Sequence, residues 1–370
     1  MKKKTVFVGI SGGVDSAVSA ALLKDQGYEV VGVFIRTWHP EFLECNEEEE
    51  RRDAMRIAAH LDIPFLTFDL EDVYKKEVAD YMIAEYKAGR TPNPDVMCNK
   101  EVKFGAFLKK ALEMGADFVA TGHYAKNTKE AFSSGPRTSG SLAQPDHEKK
   151  HLLYFLNKGN DVTKDQSYFL WTLKQEQLSK ILFPIGHLPK VQVRKLAEKY
   201  KLPVAQKKDS QGICFLGAID LKEFLKHYIE EKRGDVINES GEVIGHHDGA
   251  VFHTLGERHR FTITKKSPND TPYYIVAKDI QKNTITVSQK NKTAQHSNIL
   301  KNVRMLNVNW ISETPEPNKK YTAQIRYHGE FLPCIINKEE VVFETPVLVA
   351  SGQSIVVYDK DVCLGGGVVV

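Results

Sequence analysis

The sequence predicts an α/β protein in which a doubly wound parallel sheet is followed by a small β-rich central domain and a C-terminal β-barrel. Strand and helix patterns alternate over residues 1–125, and a glycine-rich turn joins the first strand to the first helix. Beyond residue 301 only strand patterns recur. Alternation with short links is typical of parallel sheets covered by helices, and several short strands with regular turns are typical of small barrels.

The alternating part has strand patterns at residues 6–10, 28–35, 64–70 and 117–121, and helix patterns at 17–26, 47–61, 71–88 and 100–114. In such a sheet a ligand binds outside the carboxyl ends of the strands. The turn after the first strand, Ile35 and the pair Gly122-His123 all lie at strand ends. We therefore expect them to face one bound ligand, although Ile35 is equally consistent with a core residue.

The turn at residues 9–16 has the composition of a phosphate site. Backbone N–H groups are unpaired at a helix N-terminus, and the helix dipole favours an anion there. Glycines allow a close backbone approach, serines add hydroxyl donors, and Asp15 could hold Mg²⁺ beside phosphate oxygens. The turn has neither the Lys of a Walker A motif nor the G-x-G-x-x-G pattern. The alternative to an anion site made of Gly9, Ile10, Ser11, Gly12, Gly13, Val14, Asp15 and Ser16 is an ordinary glycine turn.

Composition restricts the possible classes of protein. The chain has 370 residues, 41% hydrophobic and 27% charged, and a net charge of +3, which indicates a globular protein of two or three domains. No apolar run has membrane length and no signal peptide is evident, so we expect a cytoplasmic protein. Five separated cysteines without a C-x-x-C pair argue against a disulfide framework and a zinc site, and leave reactive or buried thiols.

Two segments present a cysteine in a stiffened loop. Residues 89–100 carry two prolines, and Asp95 and Cys98 are three apart, so one turn would bring them together. Asn99 is expected to cap the following helix, whose N-terminus would favour the thiolate of Cys98. Cys214 follows a glycine turn after a run with seven basic residues between positions 190 and 208. That basic run is consistent with binding of a phosphate backbone or with a solvated surface. For each of the two cysteines, a buried core residue is the alternative interpretation.

The middle of the chain gives weaker signals. Residues 126–150 predict a mobile excursion, and residues 166–181 predict a helix capped by Asp165, with Lys164, Asp165 and Gln166 at its exposed start. A solvated cap and a substrate contact are both open there. Residues 220–232 predict another helix. In the C-terminal barrel, Trp310, Arg326, Tyr327 and Gln353 could contact RNA, although aromatic residues in barrels are usually core.

Taken in order, these segments resemble the bacterial tRNA-specific 2-thiouridylases over nearly the whole chain. The segments that carry the resemblance are SGGVDS at 11–16, GRTPNPDVMCNKEVKF at 89–104, TGHYA at 121–125, KDQSYFL at 164–170, DSQGICF at 209–215, RY at 326–327, SGQS at 351–354 and CLGGG at 363–367. The first of these is similar to the pyrophosphate loop (PP-loop) of enzymes that cleave ATP between the α- and β-phosphates.

The resemblance implies a function and a role for each matching residue. The family makes 2-thiouridine at the anticodon wobble position, using ATP and Mg²⁺, with sulfur relayed as a persulfide from a cysteine desulfurase or a sulfur-relay protein. Residues 9–16, Ile35 and Gly122 would bind ATP; Cys98, Cys214 and Asp95 would be catalytic, with Cys214 carrying the persulfide. The implied tRNA contacts are Asn93, Pro94, Asp95, His123, Lys164, Asp165, Gln166, Arg326, Tyr327 and Gln353.

The expected domains are an adenine nucleotide alpha hydrolase-like PP-loop domain at residues 1–216, a central domain at 217–291 and the barrel at 292–370. The chain departs from the family pattern at Ile35, where Met is usual, and at Glu257, where Gln is usual. A different class with the same loop is a small-molecule amidotransferase or ligase acting through an acyl-adenylate. Such an enzyme would need an ammonia source and neither two separated cysteines nor a C-terminal barrel.

Overall fold

The computed structural model describes residues 3–43, 46–132, 151–209, 212–217, 220–265, 270–289 and 299–370. Cys45, Ser210 and Gln211, together with residues 133–150 of the predicted excursion, lie outside the described residues. The described chain forms three sheets.

The first sheet is parallel, as predicted. Its order is β3-β2-β1-β4-β7, and its strands are β1 (Thr5–Gly9), β2 (Glu29–Arg36), β3 (Phe65–Asp69), β4 (Phe118–Ala120) and β7 (Ile181–Leu182). Side chains alternate across it: Val6 and Val8 join the core under the helix after β1, while Phe7 joins the core on the opposite face. Both faces are therefore buried, as a doubly wound sheet requires.

Helices cover both faces of this sheet. They are α1 (Val14–Asp25), α2 (Glu47–His60), α3 (Glu71–Tyr74), α4 (Tyr81–Lys87), α5 (Pro94–Met97), α6 (Leu108–Glu113), α7 (Gln175–Leu178) and α8 (Lys190–Lys199). Two π-helical stretches, Lys75–Asp80 and Cys98–Phe107, join α3 to α4 and α5 to α6. Wider π-helical turns inside α-helices often mark functional sites.

Two sequence-based expectations in the middle of the chain are wrong. Residues 126–132 do not belong to an irregular excursion, because β5 (Ala125–Phe132) pairs along its whole length with β6 (His151–Lys158). The predicted helix at 166–181 is instead a 3₁₀ turn at Ser167–Leu170, a loop, α7 and β7. Its apolar residues pack against the barrel: Tyr168 Oη donates to Ser354 O, and Trp171 Nε1 donates to Ser354 Oγ.

The central part begins with a helix, α9 (Leu221–Lys226), capped by the Asp220 side chain and shorter than the predicted 220–232. Its sheet has the order β10-β9-β8-β12-β11, from the strands β8 (Gly234–Ile237), β9 (Val243–His247), β10 (Thr262–Ile263), β11 (Tyr274–Asp279) and β12 (Thr284–Ser288), with a 3₁₀ turn at Ala250–Phe252. This is the small β-rich part that the sequence predicts.

The C-terminal part is a closed six-stranded antiparallel barrel, which confirms the prediction. Its strands are β13 (Ile299–Trp310), β14 (Tyr321–Gln324), β15 (Leu332–Asn337), β16 (Glu340–Leu348), β17 (Ser354–Asp359) and β18 (Val362–Val369), and pairing of β13 with β18 closes it. The hairpin β5-β6 extends the barrel sheet through β18. The strand pair that follows β4 in the sequence is thus part of the barrel sheet.

Within the described ranges, no helix has the length and apolar character needed to cross a lipid bilayer.

Candidate functional site

A cleft of about 1170 Å³ opens at the carboxyl ends of β1, β2 and β4, where the sequence predicts a ligand. The loop between β14 and β15 and the segment at residues 212–217 form two of its other walls. The sequence-predicted residues that line it are Gly9, Ile10, Ser11, Gly13, Val14, Asp15, Ser16, Ile35, Asp95, Gly122, His123, Lys164, Gln166, Cys214 and Tyr327. Ile35 is also 7% exposed and packed in the core, so both interpretations of it hold.

The turn between β1 and α1 is shaped around its backbone. Gly12 has φ +72°, and a Cβ there would lie 2.6 Å from Glu50 O. A Cβ on Gly122, after β4, would lie 2.8 Å from Ser16 N. Ser16 Oγ accepts from Ser11 N at 3.2 Å, which holds the turn open in front of α1. Such a turn presents backbone N–H groups and hydroxyls to a phosphate without a side chain in the way.

A cluster of charges lies beside this turn. Lys190 Nζ, from the first residue of α8, donates to Asp15 Oδ1 and Oδ2 at 2.8 and 2.9 Å and lies 2.8 Å from Asp209 Oδ1. Tyr124 Oη also donates to Asp15 Oδ1, at 2.8 Å. Asp209 is held further by Lys164 at 2.9 Å and by Arg194.

This cluster bears on the predicted Mg²⁺ site. Mg²⁺ is bound in nucleotide enzymes through one or two carboxylates together with substrate phosphates. Asp15 and Asp209 share a single ammonium, so their oxygens already converge on one cation. The donor set therefore fits Mg²⁺, although no group of three or more His, Cys, Asp or Glu that could hold a metal by itself exists among the described residues.

The two cysteines meet at the other end of the cleft. Cys98 Sγ and Cys214 Sγ are 3.2 Å apart, although 116 positions separate them in sequence. Cys98 is fully buried, whereas Cys214 is partly exposed in the cleft wall. Their sulfurs are close enough for thiol–disulfide exchange without a large backbone movement.

The segment that carries Cys214 is fastened on three sides. Cys214 N donates to Asp95 Oδ1 at 2.9 Å, and Tyr74 Oη donates to Cys214 O at 2.7 Å. His39 Nε2 lies 2.9 Å from Phe215 O, on the next residue. Ile213 and Gly217 also pair with each other across the segment. The Cys214 thiol is therefore positioned by the surrounding elements rather than by its own loop alone.

The two thiols are chemically unequal, and Lys103 lies beside both. A hydrogen bond from Cys98 lowers the pKa of the Cys214 thiol, and the positive charge of Lys103 lowers it further. Together they outweigh burial, which raises this pKa, so that it falls to about 7. Burial, with the hydrogen bond to Cys214, raises the pKa of Cys98. Burial lowers the pKa of Lys103, but the two thiols beside it raise this pKa by more than burial lowers it. The lysine side chain therefore stays charged. Cys214 is the thiolate of the pair and Cys98 the thiol.

Asp95 differs from an exposed carboxylate. Burial raises its pKa, and this outweighs the backbone N–H of Cys214, which lowers it. Asp95 therefore has the properties of a group that holds and releases a proton beside the cysteines.

Sequence reasoning missed Lys103, Tyr74, Tyr124 and Lys190. Lys103 lies five positions after Cys98, a spacing that points away from the cysteine on an α-helix. Both residues fall in the π-helical stretch Cys98–Phe107, whose hydrogen bonds span five residues, so positions five apart lie above one another. The same segment also corrects the predicted cap: Asn93 caps α5 by accepting from Val96 N, and Asn99 lies inside the helix.

The predicted tRNA contacts fall into two groups. His123, Lys164, Gln166 and Tyr327 face the cleft, and burial and the charge of Lys103 lower the pKa of His123 well below its usual range. The KDQ residues are half-buried rather than at an exposed helix start: Lys164 binds Asp209, Asp165 accepts from Gly159 N and Ser167 N, and Gln166 accepts from Tyr124 N. The predicted tRNA contacts outside the cleft lining are Asn93, Pro94, Asp165, Arg326 and Gln353. Two other predicted site residues, Gly12 and Cys98, also lie outside it.

The basic run at residues 190–208 is largely used inside the protein. Lys190 and Arg194 pair with Asp209, and Lys207 pairs with Asp53 at 2.7 Å. Lys208 lines the cleft. The exposed lysines of this run are Lys195, Lys199, Lys201 and Lys208.

Three family models match consecutive parts of the chain. They are a "tRNA methyl transferase HUP domain" at residues 4–218, a "tRNA methyl transferase PRC-barrel domain" at 222–289 and an "Aminomethyltransferase beta-barrel domain" at 300–369.

Curated relatives match over nearly full length. A tRNA-specific 2-thiouridylase MnmA of Geobacillus thermodenitrificans is 43% identical, covering 98% of this chain and 94% of the relative. The protein of the same name from Nitrosomonas europaea is 41% identical, covering 100% of this chain and 99% of the relative. That from Thiobacillus denitrificans is 42% identical, covering 98% and 99%.

Proposed function

The chain belongs to the family of the tRNA-specific 2-thiouridylases, and from this premise we propose that it replaces the C2 oxygen of the anticodon wobble uridine in tRNA by sulfur. The observation that carries the proposal is the pair of unequal thiols, 3.2 Å apart, at the end of a cleft whose other end is a phosphate-binding turn. A sulfur-transferring pair and an ATP site are the two components that this reaction needs.

ATP is required because the C2 carbonyl of uracil is a poor electrophile with a poor leaving group. In the proposed first step the C2 oxygen attacks the α-phosphorus of ATP, giving an O-adenylated base and pyrophosphate. The turn at residues 9–16 binds the pyrophosphate with backbone donors, Ser11 and Ser16. Mg²⁺ held by Asp15, with Asp209 near, would neutralise phosphate charge when bound.

Sulfur transfer then uses the two cysteines in different roles. A desulfurase or relay protein delivers sulfur to the Cys214 thiolate, giving Cys214–S–SH. The terminal sulfur loses its proton and attacks C2, and AMP leaves. The Cys98 thiolate, its proton taken by Asp95, attacks Sγ of Cys214, so a Cys98–Cys214 disulfide forms and the 2-thio group stays on the base. Two external thiol groups, oxidised to a disulfide, supply the two electrons that restore both cysteines.

The wobble base must leave its stack to reach these groups. His123, Gln166 and Tyr327 line the cleft between the phosphate turn and Cys214, and Asn93 and Pro94 precede Asp95 at the start of α5. We propose that these residues, with Lys164, Asp165, Arg326 and Gln353, bind the anticodon arm. Three domains with boundaries near residues 216 and 291 would share that task.

The family models are described by methyl transfer and the relatives by thiolation. The paired thiols favour thiolation, because methyl transfer to a base needs no second thiol beside an ATP site. A small-molecule amidotransferase or ligase would likewise need no second thiol beside its ATP site.

The test is mass spectrometry of nucleosides from unmodified tRNA incubated with the protein, ATP, Mg²⁺ and a sulfur-35 persulfide donor. We expect 2-thiouridine from the wild type. Cys214→Ser should take up no label but still release pyrophosphate, and Cys98→Ser should take up label but make no 2-thiouridine. Cys334→Ala, a buried barrel thiol, is the matched control and should behave as wild type. A methylated base, or thiolation by Cys98→Ser at the wild-type rate, would contradict the proposal.

A further inference from the structure

Lys190 brings a positive charge to a phosphate turn that contains none of its own. The turn reads GISGGVDS, without lysine or arginine, and Lys190 lies 175 positions beyond Asp15. Its side chain is only 13% exposed, and its ammonium lies 2.8 and 2.9 Å from the two oxygens of Asp15. We propose that Lys190 is the cationic ligand of the β- and γ-phosphates of ATP, an assignment that rests on the ATP use proposed above.

The cluster around Lys190 is arranged to accept an anion. Lys190, Lys164 and Arg194 face two carboxylates, Asp15 and Asp209, and a third, Asp161, accepts from the backbone N–H of Lys190. Asp209 keeps two cationic partners when Lys190 moves away from it, and Asp15 keeps the hydroxyl of Tyr124. A phosphate that takes the ammonium therefore leaves neither carboxylate without a partner, and it frees oxygens of Asp15 for a divalent cation.

The ammonium is not what holds α8 in position. The backbone N–H of Lys190 donates to Asp161 Oδ2 at 2.8 Å, which caps the start of the helix. Val193 and Ala197, both fully buried, fix the helix against the core that contains α1. The ammonium instead contacts Asp15 and Asp209, both of which line the cleft, so a phosphate bound in the turn would lie near it.

The test compares nucleotides that differ only in their phosphates, in the absence of tRNA. Isothermal titration calorimetry with ATP, ADP and AMP in Mg²⁺ buffer is carried out on the wild type, Lys190→Met and Lys195→Met. Lys195 is exposed on the same helix and serves as the matched control. Lys190→Met should weaken ATP binding at least about tenfold and AMP binding less than about twofold, because AMP lacks the β- and γ-phosphates. Lys195→Met should bind all three as wild type does.

An equal loss for AMP and ATP, or unchanged ATP binding, would overturn the assignment. Lys190→Gln, whose amide still donates to Asp15, must show the same selective loss and replaces the Met variant if that variant does not fold. Lys190→Arg should keep most of the ATP affinity. The nucleotide titration measures no step of sulfur transfer, so the two proposals can fail separately. If the wild type does not thiolate tRNA but Lys190→Met still loses ATP affinity selectively, the proposed function is rejected and the Lys190 assignment stands.

Discussion

Lys103→Met should change the reactivity of Cys214 in a manner that reveals the charge of the lysine. Lys103 hydrogen-bonds to the Cys214 sulfur and lies over the Phe215 ring, 5.5 Å from its centroid. A unit charge about 4 Å from a thiolate is worth about 4 kcal/mol at an effective dielectric constant of about 20, and about 1.4 kcal/mol corresponds to one pKa unit. The upper limit of the effect of Lys103 on the pKa of Cys214 is therefore about three units. Because the site is half-buried, we expect this pKa to rise by about one to two units in Lys103→Met.

This shift has opposite effects at low and high pH. With the pKa of Cys214 near 7, half of the wild-type thiol is ionised at pH 7. Raising it by one to two units lowers the ionised fraction to roughly 10% or 1%, while each unit makes the thiolate itself roughly three times more nucleophilic. The variant should thus be alkylated about two to five times more slowly than wild type at pH 7, and about three to nine times faster above pH 10.

The measurement is the rate of iodoacetamide labelling of the Cys214 peptide between pH 5.5 and 10.5, followed by mass spectrometry. Lys109→Met is the matched control, because Lys109 is exposed on the helix that continues the same segment. The two rate profiles of Lys103→Met and wild type should cross at about pH 7.5 to 8. Superimposable profiles, or a slower variant at every pH, would refute an electrostatic role of Lys103 and indicate loss of access or of structure. An equal shift in Lys109→Met would refute the local role.

Two further predictions concern the ends of the cleft. After one turnover without reductant, the wild type should yield a Cys98–Cys214 cross-linked peptide on non-reducing mass spectrometry, since the sulfurs are already 3.2 Å apart; finding both thiols free after product has formed would count against the exchange step. Gly122→Ala should weaken ATP binding about tenfold or more, because its Cβ would press on Ser16 N at 2.8 Å; calorimetry showing wild-type affinity would mean that the turn moves without cost.

The glycine-rich turn between β1 and α1 was predictable because its own signals lie close together in the sequence. Strand, glycines, hydroxyls and helix start are all local, and the parallel sheet followed from equally local patterns. The meeting of Cys98 with Cys214 was not available from the residues themselves. It came from the family resemblance, because the contact joins segments 116 positions apart.

The failed helix at residues 166–181 shows how tertiary contacts override a local pattern. Leu170 and Leu173 lie three apart, a spacing that suits one helical face, and both are buried. Their partners lie in the barrel, more than 100 residues later, where Asn309 Nδ2 donates to Trp171 O and Leu173 O. Backbone groups bound by a distant side chain are unavailable for a helix, so the segment forms turns instead.

The placement of Lys103 beside Cys98 depends on a local helical period that the sequence analysis did not consider. On an α-helix, residues five apart face different sides, and a lysine at that position predicts a solvated surface. In the π-helical stretch Cys98–Phe107 the turn is wider, and the lysine comes to the cysteine side. The wider period therefore places the charge of Lys103 beside both thiols, and the hydrogen bond from Cys98 makes Cys214 the first of the two to ionise.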